Sequence, residues 1–121
     1  MENEQERNEL LGIRGKQACA SFSGASLETL DKLLAMGELD LYETKNDAPS
    51  IGAIMEFMRQ FPEVTAHGYV IGAGRSDYRV SLEGVEYEGK VSKKLMREFV
   101  AMFRQADEFQ CEYTGLYCWY D

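Results

Sequence analysis

Between the chain's two prolines, Pro49 and Pro62, the apolar residues fit one face of a helix. Ile51, Ile54, Met55, Met58 and Phe61 recur at steps of three and four, while Glu56, Arg59 and Gln60 take the opposite side. Ser50 is the natural cap, because the residue before Pro49 is held out of the helical region. Pro62 ends the helix. Just beyond it the period changes. Val64 to Ala73 is rich in β-formers, and residues 72–77 (GAGRSD) read as a turn. Tyr78, Val80 and Leu82 then alternate with Arg79, Ser81 and Glu83, the period of a half-buried strand. A helix followed by alternating strands and tight turns points to an α+β fold with an antiparallel sheet.

The rest of the chain extends this pattern. Glu83-Gly84 is compatible with a second turn before a third strand, Val85 to Glu88, which would make an antiparallel meander of about three strands. Ser92 caps a further helix with Leu95, Phe99, Val100, Phe103 and Ala106 inward, and Lys93, Lys94, Arg97 and Glu98 outward. Upstream, Ser26 starts a helix carrying Leu27, Leu30, Leu33 and Leu34, and Gly37 suits the position after its last turn. Residues 17–23 read as a strand or a buried turn, and Asp40 to Thr44 as a brief extended piece. Residues 1–9 either fray or form a helical turn that Leu10 and Leu11 tie down.

Phe109 to Tyr120 forms a C-terminal hairpin. A loop at Thr114-Gly115 would pair Cys111 with Cys118 and Tyr113 with Leu116. Phe109, Cys111, Tyr113, Leu116, Cys118 and Tyr120 then share one face, with Gln110, Glu112, Tyr117 and Trp119 on the other. The expected whole is one domain over 1–121, with meander and hairpin packed against two to three amphipathic helices.

At 121 residues and 45% hydrophobic content, the chain can bury a core of its own. No apolar run reaches the roughly 18–20 residues of a membrane span. The polar, acidic start is unlike a signal peptide, so a cytoplasmic location is expected. Three cysteines, an odd number, suit free thiols better than a disulfide framework. Thirteen Lys and Arg stand against twenty-one Asp and Glu, a net charge of −8. That field disfavours direct binding to nucleic acid or anionic membrane, and it attracts a basic protein surface. Its plainer consequence is solubility.

Catalytic and metal motifs are missing from the sequence. His67, the single histidine, has no nucleophile elbow to serve and reads as a structural or surface imidazole. None of the cysteines has the short spacing that presents two sulfurs to one zinc ion. Gly72-Ala73-Gly74-Arg75 and Gly12 to Lys16 resemble fragments of phosphate loops, yet neither completes one. The carboxylates form no HExxH or EF-hand pattern, so neither metal nor cofactor is expected. An enzyme reading would rest on scattered residues around His67 and the cysteines.

Surface charge and aromatics carry more information. Glu83, Glu86 and Glu88 cluster late in the meander. Asp107, Glu108, Glu112 and Asp121 surround the hairpin, with no Lys or Arg after Arg104. Tyr117 and Trp119 lie on the face turned from the core. Carboxylates interleaved with aromatics suit a protein-binding patch, where rings anchor and charges steer a basic partner. Burial of that face under a further element is the competing expectation. In its acidic charge and helix–βββ–helix order over about residues 50–106, the chain resembles some phage-encoded inhibitors. These include certain anti-CRISPR proteins that place carboxylates where DNA phosphates would lie. The resemblance implies an inhibitor that mimics nucleic acid; the alternatives are the small enzyme or an accessory subunit of a larger complex.

Overall fold

Three serines start three helices by the same chemistry. The hydroxyls of Ser26, Ser50 and Ser92 accept the backbone N–H of Thr29, Ala53 and Leu95 at 3.2, 3.1 and 3.0 Å. Each cap is worth about 1 kcal/mol relative to alanine. The computed structural model, which describes residues 3–121, orders the chain as α1 (Glu4–Leu10), β1 (Cys19–Ala25), α2 (Leu27–Ala35), α3 (Ile51–Gln60), β2 (Thr65–Ile71), β3 (Arg79–Glu88), α4 (Lys93–Phe103), β4 (Glu108–Glu112) and β5 (Gly115–Trp119). The class is α+β, as the periodicities require. After α2, Gly37 and Glu38 donate to the carbonyls of Leu34 and Leu33 and close the last turn.

The five strands form one antiparallel sheet in the order β1-β2-β3-β5-β4. The third strand beside β2 and β3 is thus β1, and the 17–23 segment becomes strand from Cys19 and runs on to Ala25. The turn expected at Glu83-Gly84 does not form, and β3 runs straight through it. Leu82 faces Gly68 and Gly84 faces His67, so Glu83 is the extra residue of a β-bulge. The bulge resets the alternation, which lets Val80, Leu82 and Val85 all turn to the core. Two strands, not three, therefore separate α3 from α4, and the helix–βββ–helix order over 50–106 is corrected to helix–ββ–helix.

The C-terminal hairpin is real with its register moved by one residue on each strand. Cys111 faces Leu116, Phe109 faces Cys118, and Tyr113 and Thr114 make the turn. The face assignment of the strand residues survives, because the shift keeps the parity of both strands. The pairings expected for Cys111 with Cys118 and Tyr113 with Leu116 do not occur, and all three thiols are free. Residues 40–44 are turn and irregular loop rather than an extended piece.

One core joins helices and sheet. Leu30, Leu33, Ile54, Met58, Phe99 and Phe103 meet Ala66, Val70, Val80, Leu82, Val85, Leu116 and Cys118. Of the two expectations for residues 1–9, fraying or a helical turn, the structure has the helix, with α1 spanning Glu4–Leu10. Its Arg7 is fully buried, donating to the Ile71 carbonyl at 3.2 Å and lying 4.3 Å from the centre of the Tyr78 ring. Residues 1 and 2 lie outside the described residues.

Candidate functional site

Alternation puts a second set of side chains on the sheet face away from the helices. These are Thr65, His67 and Tyr69 on β2, Arg79, Ser81, Glu86 and Glu88 on β3, Tyr117 and Trp119 on β5, and Glu108, Gln110 and Glu112 on β4. This face has two unlike ends.

One end lies under the irregular segment 38–50. Lys45 reaches Glu83 in an ion pair, donates to the Tyr120 carbonyl at 2.8 Å, and stands 5.5 and 5.6 Å from the ring centres of Tyr69 and Trp119. Arg79 bonds the Tyr69 hydroxyl at 2.8 Å and lies 3.9 Å from Glu43, whose carboxyl burial pushes above the usual range. The Asn46 side chain donates to the Asp121 carbonyl, and the Asp121 N–H donates to the Asp107 carboxylate at 2.8 Å. Glu83 and Glu43 are thus matched by Lys45 and Arg79, whereas Asp107 and Asp121 are held by hydrogen bonds alone.

The other end is open and acidic. Glu86 is flanked across the ladder by Thr65 and Tyr117, and Gln110 lies beyond Tyr117. Glu86, Glu88, Glu112, Gln110 and Tyr117 line a shallow cleft of about 300 Å³. A neighbouring cleft shares Glu86 and Glu88 and adds Glu63. Among the described residues, no Lys or Arg comes within 4 Å of Glu63, Glu86, Glu88, Glu108 or Glu112. Burial raises the pKa of the Tyr117 hydroxyl, and the charges of Glu108 and Glu86 raise it further. The phenol therefore stays protonated and can donate.

His67 supports this ring from below. Its Nε2–H donates to the Cys118 carbonyl at 2.8 Å, and its ring stacks on Tyr117 with centres 5.1 Å apart and planes 4° from parallel. The imidazole reaches β5 by passing over Gly84. A Cβ there would stand 1.9 Å from the Cys118 carbonyl oxygen and 2.9 Å from His67 Nε2, so only glycine fits.

The nine expected patch residues thus divide. Glu86, Glu88, Glu112 and Tyr117 come together at the open end, and Glu108, opposite Trp119, adjoins Tyr117 on its other side. Glu83 and Trp119 belong instead with Lys45, both half-buried. Asp107 and Asp121 clasp each other beside Asn46. Sequence reasoning missed Gln110 and Glu63 as members. Gln110 was legible, since it alternates in step with Glu108 and Glu112, whereas Glu63 sits in the α3–β2 turn and left no periodic signal.

Chemically the open end accepts hydrogen bonds and attracts cations. Among the described residues, no three His, Cys, Asp or Glu side chains are grouped to hold a metal ion. His67 and Cys118 project from opposite faces of the sheet, and burial pushes the Cys118 thiol up to about 12. No helix is long and apolar enough to cross a membrane among the described residues. The chain matches no protein-family model, and comparison with curated proteins and with solved structures finds no match.

Proposed function

We propose that the protein is a non-enzymatic, cytoplasmic binding module that docks the open acidic end of its sheet onto a basic surface of another protein. One observation carries this reading: four carboxylates from the two strands β3 and β4 surround Tyr117 of β5, and among the described residues no cation lies within 4 Å of any of them. Side chains on one sheet face stand about 7 Å apart along a strand and about 5 Å across strands. Like charges at that spacing repel one another, and Lys or Arg from a partner relieves the repulsion. Tyr117, rigidly stacked and able to donate, supplies an anchor of the kind that concentrates binding energy. The narrower form of the reading is a nucleic-acid mimic, in which the partner's basic surface is its own site for DNA or RNA. An enzyme built around His67 and the cysteines has less support, because His67 is committed to a carbonyl and a ring stack and Cys118 is a buried, neutral thiol.

Binding to a partner captured from the native host should weaken steeply as salt rises, since screening confines surface charges to about 8–10 Å near physiological ionic strength. Glu86→Lys with Glu112→Lys should slow association at least tenfold, and Tyr117→Ala should speed dissociation. Glu6→Lys, on the exposed side of α1, should do neither. Duplex DNA or RNA should compete with the protein if it is a mimic; a partner that holds both at once removes mimicry. Affinity indifferent to salt and to the double reversal removes the acidic face as the docking site.

A further inference from the structure

The two edges of the sheet are defended differently. Edge strand β4 carries Glu108, Gln110 and Glu112, all exposed, and such charge discourages pairing with another chain. Edge strand β1 carries Cys19, Ala20, Ser21, Phe22 and Ser23, with no charge and no proline. The Gly72 N–H donates to the Ala18 carbonyl at 2.9 Å, which fixes the phase of the ladder. By alternation, Ala20 and Phe22 turn their backbone groups to β2, while those of Cys19 and Ser21 point out of the sheet; the same alternation, continued to the register shift between Phe22 and Ala25, turns Ser23 outward. The side chains of these three residues are exposed, so the edge is open.

We infer that β1 is a homotypic interface, pairing antiparallel with β1 of a second copy about a twofold axis at Ser21. Charge selects this occupant. A chain of net charge −8 repels its own copies over most of its surface, yet from Leu10 to Leu27 it has no Asp or Glu and carries Arg14 and Lys16. The pairing is self-complementary. Ser21 faces Ser21, Cys19 faces Ser23, and on the helix side Ala20 faces Phe22, small against large. The outward-pointing residues fall opposite one another, which gives about six hydrogen bonds across the axis. The same arrangement brings the Arg14–Lys16 end of one copy toward the Ser26–Glu28 end of the other, joining cations to an acidic helix start.

Sedimentation of the intact chain from about 1 μM to about 1 mM reads the prediction directly. The wild type should pass from monomer to dimer, and the amides of Cys19, Ser21 and Ser23 should exchange more slowly with deuterium in the dimer. Ser21→Pro removes an N–H that the fold does not use, and Ser21→Lys sets two cations face to face across the axis. Both should stay monomeric. The Lys variant decides the matter should the Pro variant misfold, and Glu112→Lys should dimerise like the wild type. A wild type that stays monomeric with those three amides unprotected overturns the inference and leaves the edge to a strand of some other protein. A dimer that survives Ser21→Lys overturns it too, by placing the contact elsewhere.

Discussion

Cys118, on the buried side of β5, and Tyr120, just past the end of that strand, lie two residues apart, and burial holds both groups neutral. The thiol is pushed from its usual 9.0 up to about 12, and the phenol from 10.0 up to about 12. Both pKa values are raised in the folded state, so their contribution is complete below the unfolded values and lost as pH climbs through about 12. At about 1.4 kcal/mol for each tenfold step in proton affinity, the fully buried thiol alone contributes up to about 4 kcal/mol. Thermal melts should therefore be level to about pH 8.5 and fall steeply from about pH 9. Cys118→Ala should flatten that fall, and an unchanged slope would mean the thiol is not the group responsible. His67 acts at the same scale on the opposite face. His67→Ala should cost about 2 kcal/mol in urea unfolding, because it orphans the Cys118 carbonyl and removes a ring. It should also loosen Tyr117 and so weaken partner binding. Full stability in that variant would make the stack incidental.

At the scale of elements, α2, α3 and α4 were written plainly in the sequence, whereas most strands were legible in position but not in pairing or register. Periodicity and a serine cap identify α2, α3 and α4 because each signal is local, complete within its own few turns. β3 misled because Glu83-Gly84 satisfies two local rules at once, those of a turn and of a bulge. What decides between them is the far-off demand that His67 cross to β5 above residue 84. Gly84→Ala should accordingly destabilise the protein by about 3 kcal/mol through overpacking, measured by thermal or urea unfolding; a variant as stable as the wild type would mean the strands can part there at no cost. The hairpin register slipped for a related reason. Both candidate turns keep the same residues inward, so hydrophobic alternation cannot tell them apart, and contacts of β5 with β3 make the choice. Of the candidate site, the carboxylates and Tyr117 were legible as a face of alternating residues. The withdrawal of Glu83 and Trp119 was not, because Lys45 lies far away in chain order on a segment without period.

Across the whole molecule, the charge that sequence composition spreads evenly is sorted in space. Lys45 and Arg79 pair with Glu83 and Glu43 at one end of the outer sheet face, while the carboxylates at the other end have no cation beside them, and the acid-free β1 closes the opposite edge. Binding to a basic partner and pairing between copies thus use surfaces that adjoin at Ser23, beside Glu63 and Glu86, and variants away from that border, at Ser21 or Glu112, should separate the two. The strand order has a consequence in time as well. β5 is the last strand in the chain, yet it sits between β3 and β4. The β2–β3 and β4–β5 hairpins close short loops and can form within about 1–10 μs. The joins of β1 to β2 and of β3 to β5 link residues far apart in sequence and are the slow steps. During synthesis β3 therefore waits, with Val85 and Tyr87 beside a bare strand edge, until residues 115–119 emerge. A ribosome that stalls before them would leave a nascent chain whose half-built sheet is open to any neighbouring strand.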